Sequence, residues 1–173
     1  MMSSARRSSG RQLMTNLRCT ARAIRRFKMD VEDGSEPSNG VLGDWYVNLL
    51  NLGPTRFVLC VSEKSLLPVV VPARNSEFPS RLPAYVERML LAIGLPADQA
   101  AVEAAHCLEV RVGKTRNRSI LGVMNDYKQQ SNYYVVDIPS LSLSLALAET
   151  PGGTMGFANP MEKTWEIFEK EFG

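Results

Sequence analysis

Residues 113–126 read GKTRNRSILGVMND and form the densest set of groups in the chain that could do chemistry. Lys114, Arg116 and Arg118 alternate with Thr115, Asn117 and Ser119, and an apolar periodic run follows. The spacing predicts a helix over 117–130 with Ile120, Val123, Met124 and Tyr127 facing inward, capped by Thr115 or Asn117. The first amides of a helix lack partners within it, and the helix dipole favours negative charge there. Lysine and arginine beside those amides add charge-assisted hydrogen bonds. The chemistry implied is capture of an anion, a phosphate or a carboxylate, by Lys114, Thr115, Asn117, Arg118 and Ser119. The competing reading is a capped helix whose cations are simply solvated.

Asn125 and Asp126 follow Met124 in mid-helix, where both residue types are poor formers. They could line the same groove; otherwise they sit on a solvated face or mark a helix break. Trp45 and Tyr46 are consecutive on a predicted strand, so one ring faces the core and the other the opposite side of the sheet. An aromatic ring on the sheet surface near basic residues could stack a base; packing is the simpler use. Other signatures are missing. The chain has no G-x-x-x-x-G-K-S/T, G-x-S-x-G, H-E-x-x-H or C-x-x-C, so no P-loop, nucleophile elbow, zincin or redox motif is read. Gly152, Gly153 and Gly156 follow no convincing strand, which removes a dinucleotide loop. His106 is the single histidine and reads as a packed helical residue, because a metal site needs several ligands. No metal or cofactor is expected, and no residue is assigned a catalytic role.

The elements that must position these groups are legible along the chain. A short strand over 16–20 precedes a helix over 21–27 that Thr20 can cap. A polar loop over 30–40 follows. Runs at 45–52, 56–61 and 67–71 are separated by Gly53-Pro54 and by 62–65, and read as an antiparallel meander, with Pro68 at an edge or a strand start. Helices are predicted over 79–93, ended by Gly94, and from 98 to Cys107; a strand over 109–112 separates these from the helix at 117–130. Residues 140–149 alternate like a strand but lack β-branched side chains; with Asp137 as a cap before Pro139 they are read as a helix. A turn at 151–153 leads to an amphipathic helix over 160–172 with Met161, Trp165, Phe168 and Phe172 on one stripe. The fold class expected is α+β: a small, mainly antiparallel sheet with a central three-stranded meander and helices packed on one face.

Bulk numbers set the frame. The chain has 173 residues, 45% apolar and 22% charged, which suits one domain with a hydrophobic core. No run approaches the ~18 apolar residues of a membrane helix. Cys19, Cys60 and Cys107 are odd in number and far apart, so reduced thiols and a cytoplasmic protein are expected. The net charge of +2 hides an asymmetry: residues 1–28 carry eight basic side chains and no acid. Residues 1–13 read as a basic tail and 14–173 as the domain. From Met14 onward there are 17 basic and 18 acidic groups, so a local site is expected rather than a coated basic face.

Leu17-Arg18-Cys19-Thr20, Trp45-x-x-Asn48-Leu49, Glu63-Lys64, Lys114-Thr115-x-Asn117-Arg118-Ser119-x-Leu121-Gly122-x-Met124-Asn125-Asp126 and Glu149-Thr150-Pro151 together resemble a bacterial family, domain of unknown function 6933. The resemblance runs from Met14 to about Phe168. It implies a bacterial, cytoplasmic, stand-alone domain with its start at Met14, and it brings no activity with it. Arg18, Trp45, Asn48, Asn125 and Asp126 are then the candidate neighbours of the Lys114–Ser119 site. Three functions follow as expectations. The first is a non-catalytic binding module for a phosphate-bearing ligand or nucleic acid. The second is an enzyme acting on a phosphate ester, nucleotide or RNA, with Lys114 and Arg118 holding charge and Asp126 or Glu63 as base. The third is a regulatory partner in a toxin–antitoxin-like pair, docking a protein through the Trp165/Phe168 helix or the N-terminal arm. Oligomeric state is not legible.

Overall fold

Alternation along the first strand divides the molecule into two sides. In β1 (Thr15–Cys19) Leu17 and Cys19 point to one face of the sheet and Asn16 and Arg18 to the other. The computed structural model describes residues 12–32, 34, 36–73, 77–150 and 159–173. The expected tail lies outside them except for Gln12 and Leu13, as do the turn expected at 151–153 and Gly156.

Thr20 caps α1 (Ala21–Phe27): its hydroxyl accepts from the Ala23 amide at 3.3 Å, and Lys28 in the left-handed region (φ 49°) ends the helix. β2 (Trp45–Leu52) and β3 (Thr55–Ser62) are joined by Gly53-Pro54, with Gly53 at φ 59°. Glycine at the first central position is the arrangement that matches strand twist in a two-residue hairpin. β4 (Pro68–Pro72) begins at its proline and lies at the sheet edge. Next come α2 (Phe78–Ala92), α3 (Ala97–His106), β5 (Val110–Lys114), α4 (Arg118–Ser131), α5 (Ser140–Ala148) and α6 (Pro160–Phe172). Residues 140–148 are thus helical, but Pro139 rather than Asp137 stands at the cap, with no side-chain bond.

The strand order is β4-β3-β2-β1-β5. β2, β3 and β4 pair antiparallel; β1 runs parallel to both β2 and β5. This corrects two expectations. The sheet is mixed: β1 runs parallel to its neighbours, and the crossover that a parallel pair needs is supplied between β1 and β2 by α1. The meander forms one flank of the sheet rather than its centre. Helices also cover both faces. On the first, Leu17, Trp45, Val47, Val58, Cys60 and Val69 pack against Phe27 of α1, Phe78, Leu82 and Met89 of α2, and Phe168 of α6. On the second, Tyr46, Leu50, Leu59, Val61 and Val70 pack against Ile120, Val123, Met124 and Tyr127 of α4 and Leu143 and Leu147 of α5. Phe168 is therefore core, while Trp165 is partly exposed with its indole N–H on the Ile93 carbonyl at 2.7 Å.

An edge strand exposes unpaired backbone groups. Here the Val70 amide of β4 donates to Ser144 Oγ of α5 at 2.8 Å, in a fully buried setting. Ser144→Ala leaves that amide without its acceptor and should lower the unfolding free energy by about 1–3 kcal/mol, read from urea denaturation; an unchanged midpoint would show that the edge closes by other means.

Candidate functional site

β1 and β5 are parallel neighbours whose chains leave in opposite directions. After β1 the chain turns into α1 over the first face; after β5 it turns into α4 over the second. Their carboxyl ends diverge, the topological switch point at which open sheets with parallel strands place ligands. The residues there are Cys19 and Thr20 on one side and Lys114 to Asn117 on the other.

Asn117 is the cap of α4. Its Oδ1 accepts from the Ser119 amide at 2.9 Å and the Ile120 amide at 3.3 Å. Its own amide donates to the Tyr46 hydroxyl at 3.2 Å. Two of the amides expected to meet an anion are therefore engaged by the cap, and the side chains around it carry the positive charge. Lys114, Arg116, Arg118 and Ser119 are exposed and Thr115 is half-buried. Ion pairs among the described residues are Arg18–Asp44, Arg111–Glu36 and Lys163–Glu166, so none of these three cations faces a carboxylate.

On the same face of the sheet lies a buried cation, drawn toward Asp44 at the amino end of β2. Arg18 sits between Tyr46 of β2 and Gly113 of β5 on the second face. Its Nε donates to Asp44 Oδ2 at 2.9 Å, and its side chain is 9% exposed. Asp44 Oδ1 accepts from Ser38 Oγ at 2.7 Å and Asn16 Nδ2 at 3.2 Å. Burial pushes the Asp44 carboxyl upward, but hydrogen bonds from Ser38, Arg18 and Asn16 and the Arg18 charge outweigh it and hold it below its ordinary 3.8. A Cβ on Gly113 would lie 2.8 Å from Arg18 Nη1, so the glycine makes room for the guanidinium. Farther along the same face, Thr20 Oγ1 donates to Asn48 Oδ1 at 2.9 Å, which also accepts from the Leu49 amide.

The candidate residues thus divide. Arg18 and Asn48 share the second face with the Lys114–Ser119 mouth. Trp45 does not: it points into the first-face core, fully buried, with its indole nitrogen unpartnered among the described residues. Asn125 and Asp126 are exposed on α4, about 12–14 Å of helix beyond Asn117. Asn125 lines a separate hollow of about 340 Å³ with Leu50, Asn51 and Gln129. Glu63, whose Oε1 accepts from the Asp44 amide at 3.2 Å, sits after β3 at the other end of the sheet. Neither proposed base therefore stands with the cations. A hollow of about 1020 Å³ lies at the amino ends of β1 and β5, where Glu32, Glu109 and Glu171 mix with Lys64 and Lys170, and it selects no sign of charge. His106 packs with Nδ1 2.9 Å from the Val102 carbonyl. Burial pushes the Cys19 and Cys107 thiols up to about 12 and raises Cys60 as well, so none is an activated nucleophile. Among the described residues no group of three or more His, Cys, Asp or Glu could hold a metal, and no helix is long and apolar enough to cross a membrane.

A family model matches residues 16–163. The chain belongs to the family described as Domain of unknown function (DUF6933). No curated protein matches it. The DUF6933 match takes in both halves of the site, from Arg18 to Asn48 and from Gly113 to Ser119. Sequence reasoning missed Asp44, and it left open which of Trp45 and Tyr46 takes the second face. The polar alternation of Asn16 and Arg18 within an apolar strand was the available signal.

Proposed function

We propose that this chain is a non-catalytic binding module that holds an anionic group at Lys114, Thr115, Asn117, Arg118 and Ser119, the mouth of α4, with Arg18 and Asn48 beside it. The observation that supports this reading is the company of cations at the switch point with no carboxylate partner among the described residues. The domain from Met14 onward is near neutral, so the site is local. Three buried, unpaired thiols suit a reducing compartment, which supports the reading of a bacterial cytoplasmic module. The test is titration calorimetry with inorganic phosphate and a short oligonucleotide. The double variant Lys114→Ala, Arg118→Ala should lose roughly ten- to a hundredfold in affinity for whichever binds, with a shallow salt dependence. Unaltered binding by the double variant would sink the proposal. So would a loss of ~10³ between 50 and 200 mM salt, the mark of a coated basic face.

A further inference from the structure

We infer that the apolar groove beside α6 is the docking site of the chain's own N-terminal segment, residues 1–11. The groove, of about 370 Å³, is lined by Leu95, Pro96, Trp165, Phe168, Glu169 and Phe172. Trp165 is 42% exposed, and Phe172 is exposed beside it. The Trp165 ring is held in place. Its indole N–H donates to the Ile93 carbonyl at 2.7 Å, and a Cβ on Gly94 would lie 3.9 Å from its Cζ2. Glu169 stands between the two rings on one stripe of the helix, four residues after Trp165 and three before Phe172. It is exposed and has no ion-pair partner among the described residues. That carboxylate chooses the occupant. A second copy docked across a twofold axis on this stripe would set Glu169 against Glu169. A wholly apolar partner would bury it unpaired. Residues 1–11 read MMSSARRSSGR, with Arg6, Arg7 and Arg11 and no acid. Met1 and Met2 supply thioethers, which suit an aromatic-lined groove. Arginine also stacks on the face of tryptophan.

The path from Gln12 is short enough. The Gln12 carbonyl accepts from Asn39 Nδ2 at 2.6 Å, which fixes where the segment sets out. Gln12 lines the large hollow at the amino ends of β1 and β5, together with Ile167, Lys170 and Glu171 of α6. At 100° per residue those three lie on the opposite side of α6 from Trp165, Glu169 and Phe172. A helix with its side chains is about 10–12 Å across, and eleven residues reach up to roughly 36 Å. The segment therefore has the length to pass around α6 into the groove. The exposed flank on that route carries Glu162 and Glu166, the latter 3.4 Å from Lys163. The order of charges matches the route. Arg11 starts on the hollow side, Arg6 and Arg7 meet Glu169 and its flank, and the methionines enter the groove. The segment and α6 from Trp165 onward both lie outside the family match over 16–163, so this contact stands apart from the Lys114–Ser119 site.

The experiment reads Trp165 in the full chain by acrylamide quenching. Trp45 is fully buried and supplies the unquenched background. The wild type should protect Trp165. The variant Arg6→Glu, Arg7→Glu should expose it and shift its emission to the red, each lost charge pair lowering the docking equilibrium by roughly two- to fivefold. Glu169→Arg, at an exposed position, should do the same. Combining all three substitutions should restore protection, which no loss of fold would do. High salt should expose the wild-type ring as well. The peptide MMSSARRSSGR, added to the Arg6→Glu, Arg7→Glu chain, should protect Trp165 again. Equal quenching of the wild type and the Arg6→Glu, Arg7→Glu chain overturns the inference. So does a combined variant that stays exposed. A solution mass of two chains, with Trp165 exposed only on dilution, also overturns it, because the occupant is then a second copy.

Discussion

Asp44→Ala lowers the unfolding free energy by about 3–5 kcal/mol, the loss expected when one member of a buried ion pair is removed. The carboxylate accepts from Arg18, Asn16 and Ser38, and its removal strands a guanidinium whose side chain is 9% exposed. Asp44→Asn keeps the shape and part of the hydrogen bonding and should cost less. Urea denaturation at neutral pH separates the two variants. The same carboxylate carries a pH signature. Its value in the fold is lowered from 3.8, so its stabilisation is present above 3.8 and fades as pH falls through the lower folded value. The difference between wild type and Asp44→Asn should therefore shrink in that acid window and stay constant above it. A difference that grows on acidification would contradict the pair. Glu103 of α3 has the opposite sign. Burial raises it above its ordinary 4.5 although the Val41 and Leu42 amides donate to it. Its contribution is full at acid pH and lost as pH rises through the raised value.

Phe78→Ala and Met124→Ala form the second pair of large effects, one for each side of the sheet. Phe78 is fully buried in the first-face core, its ring centroid 5.4 Å from that of Phe27. Met124 is fully buried in the second-face core beneath α4. Truncation leaves a cavity as well as losing apolar burial, so about 3–5 kcal/mol is expected for Phe78 and 2–5 for Met124. Both numbers come from equilibrium unfolding. A fold covered on one face would show the large loss at Phe78 alone, and a negligible cost at Met124 would remove the second layer.

That second layer was written in the strands. β2 reads WYVNLLNL, β3 holds FVLCV and β4 holds VVV, close to unbroken apolar runs. A strand covered on one side alternates; a strand covered on both does not. Read for turns, the same runs give a meander covered on one face only, which the two clusters of buried residues correct. The helix boundaries were legible because Thr20 and Asn117 cap by short-range chemistry. The cationic mouth was legible for the same reason, its groups lying within a few residues of one another. The buried pair on the same face was not. Arg18 meets Asp44 across a crossover and Gly113 across a strand register that no local pattern encodes. Trp45 was the converse case: placed on the correct strand, it took the core-facing alternation and left the second face to Tyr46.

The register of β1 also sets an order of events. β2, β3 and β4 join through short connections, whereas Thr15 must find Val110 and Arg18 must find Gly113. Closing so long a loop has an entropic cost before any contact rewards it, and non-local pairing is the slow part of folding. The β1–β5 pairing is therefore the late step, and it is the step that sets Arg18 beside Gly113. The seam between β1 and β5 closes the longest loop in the sheet, so it is the last to form and is expected to reopen ahead of the meander.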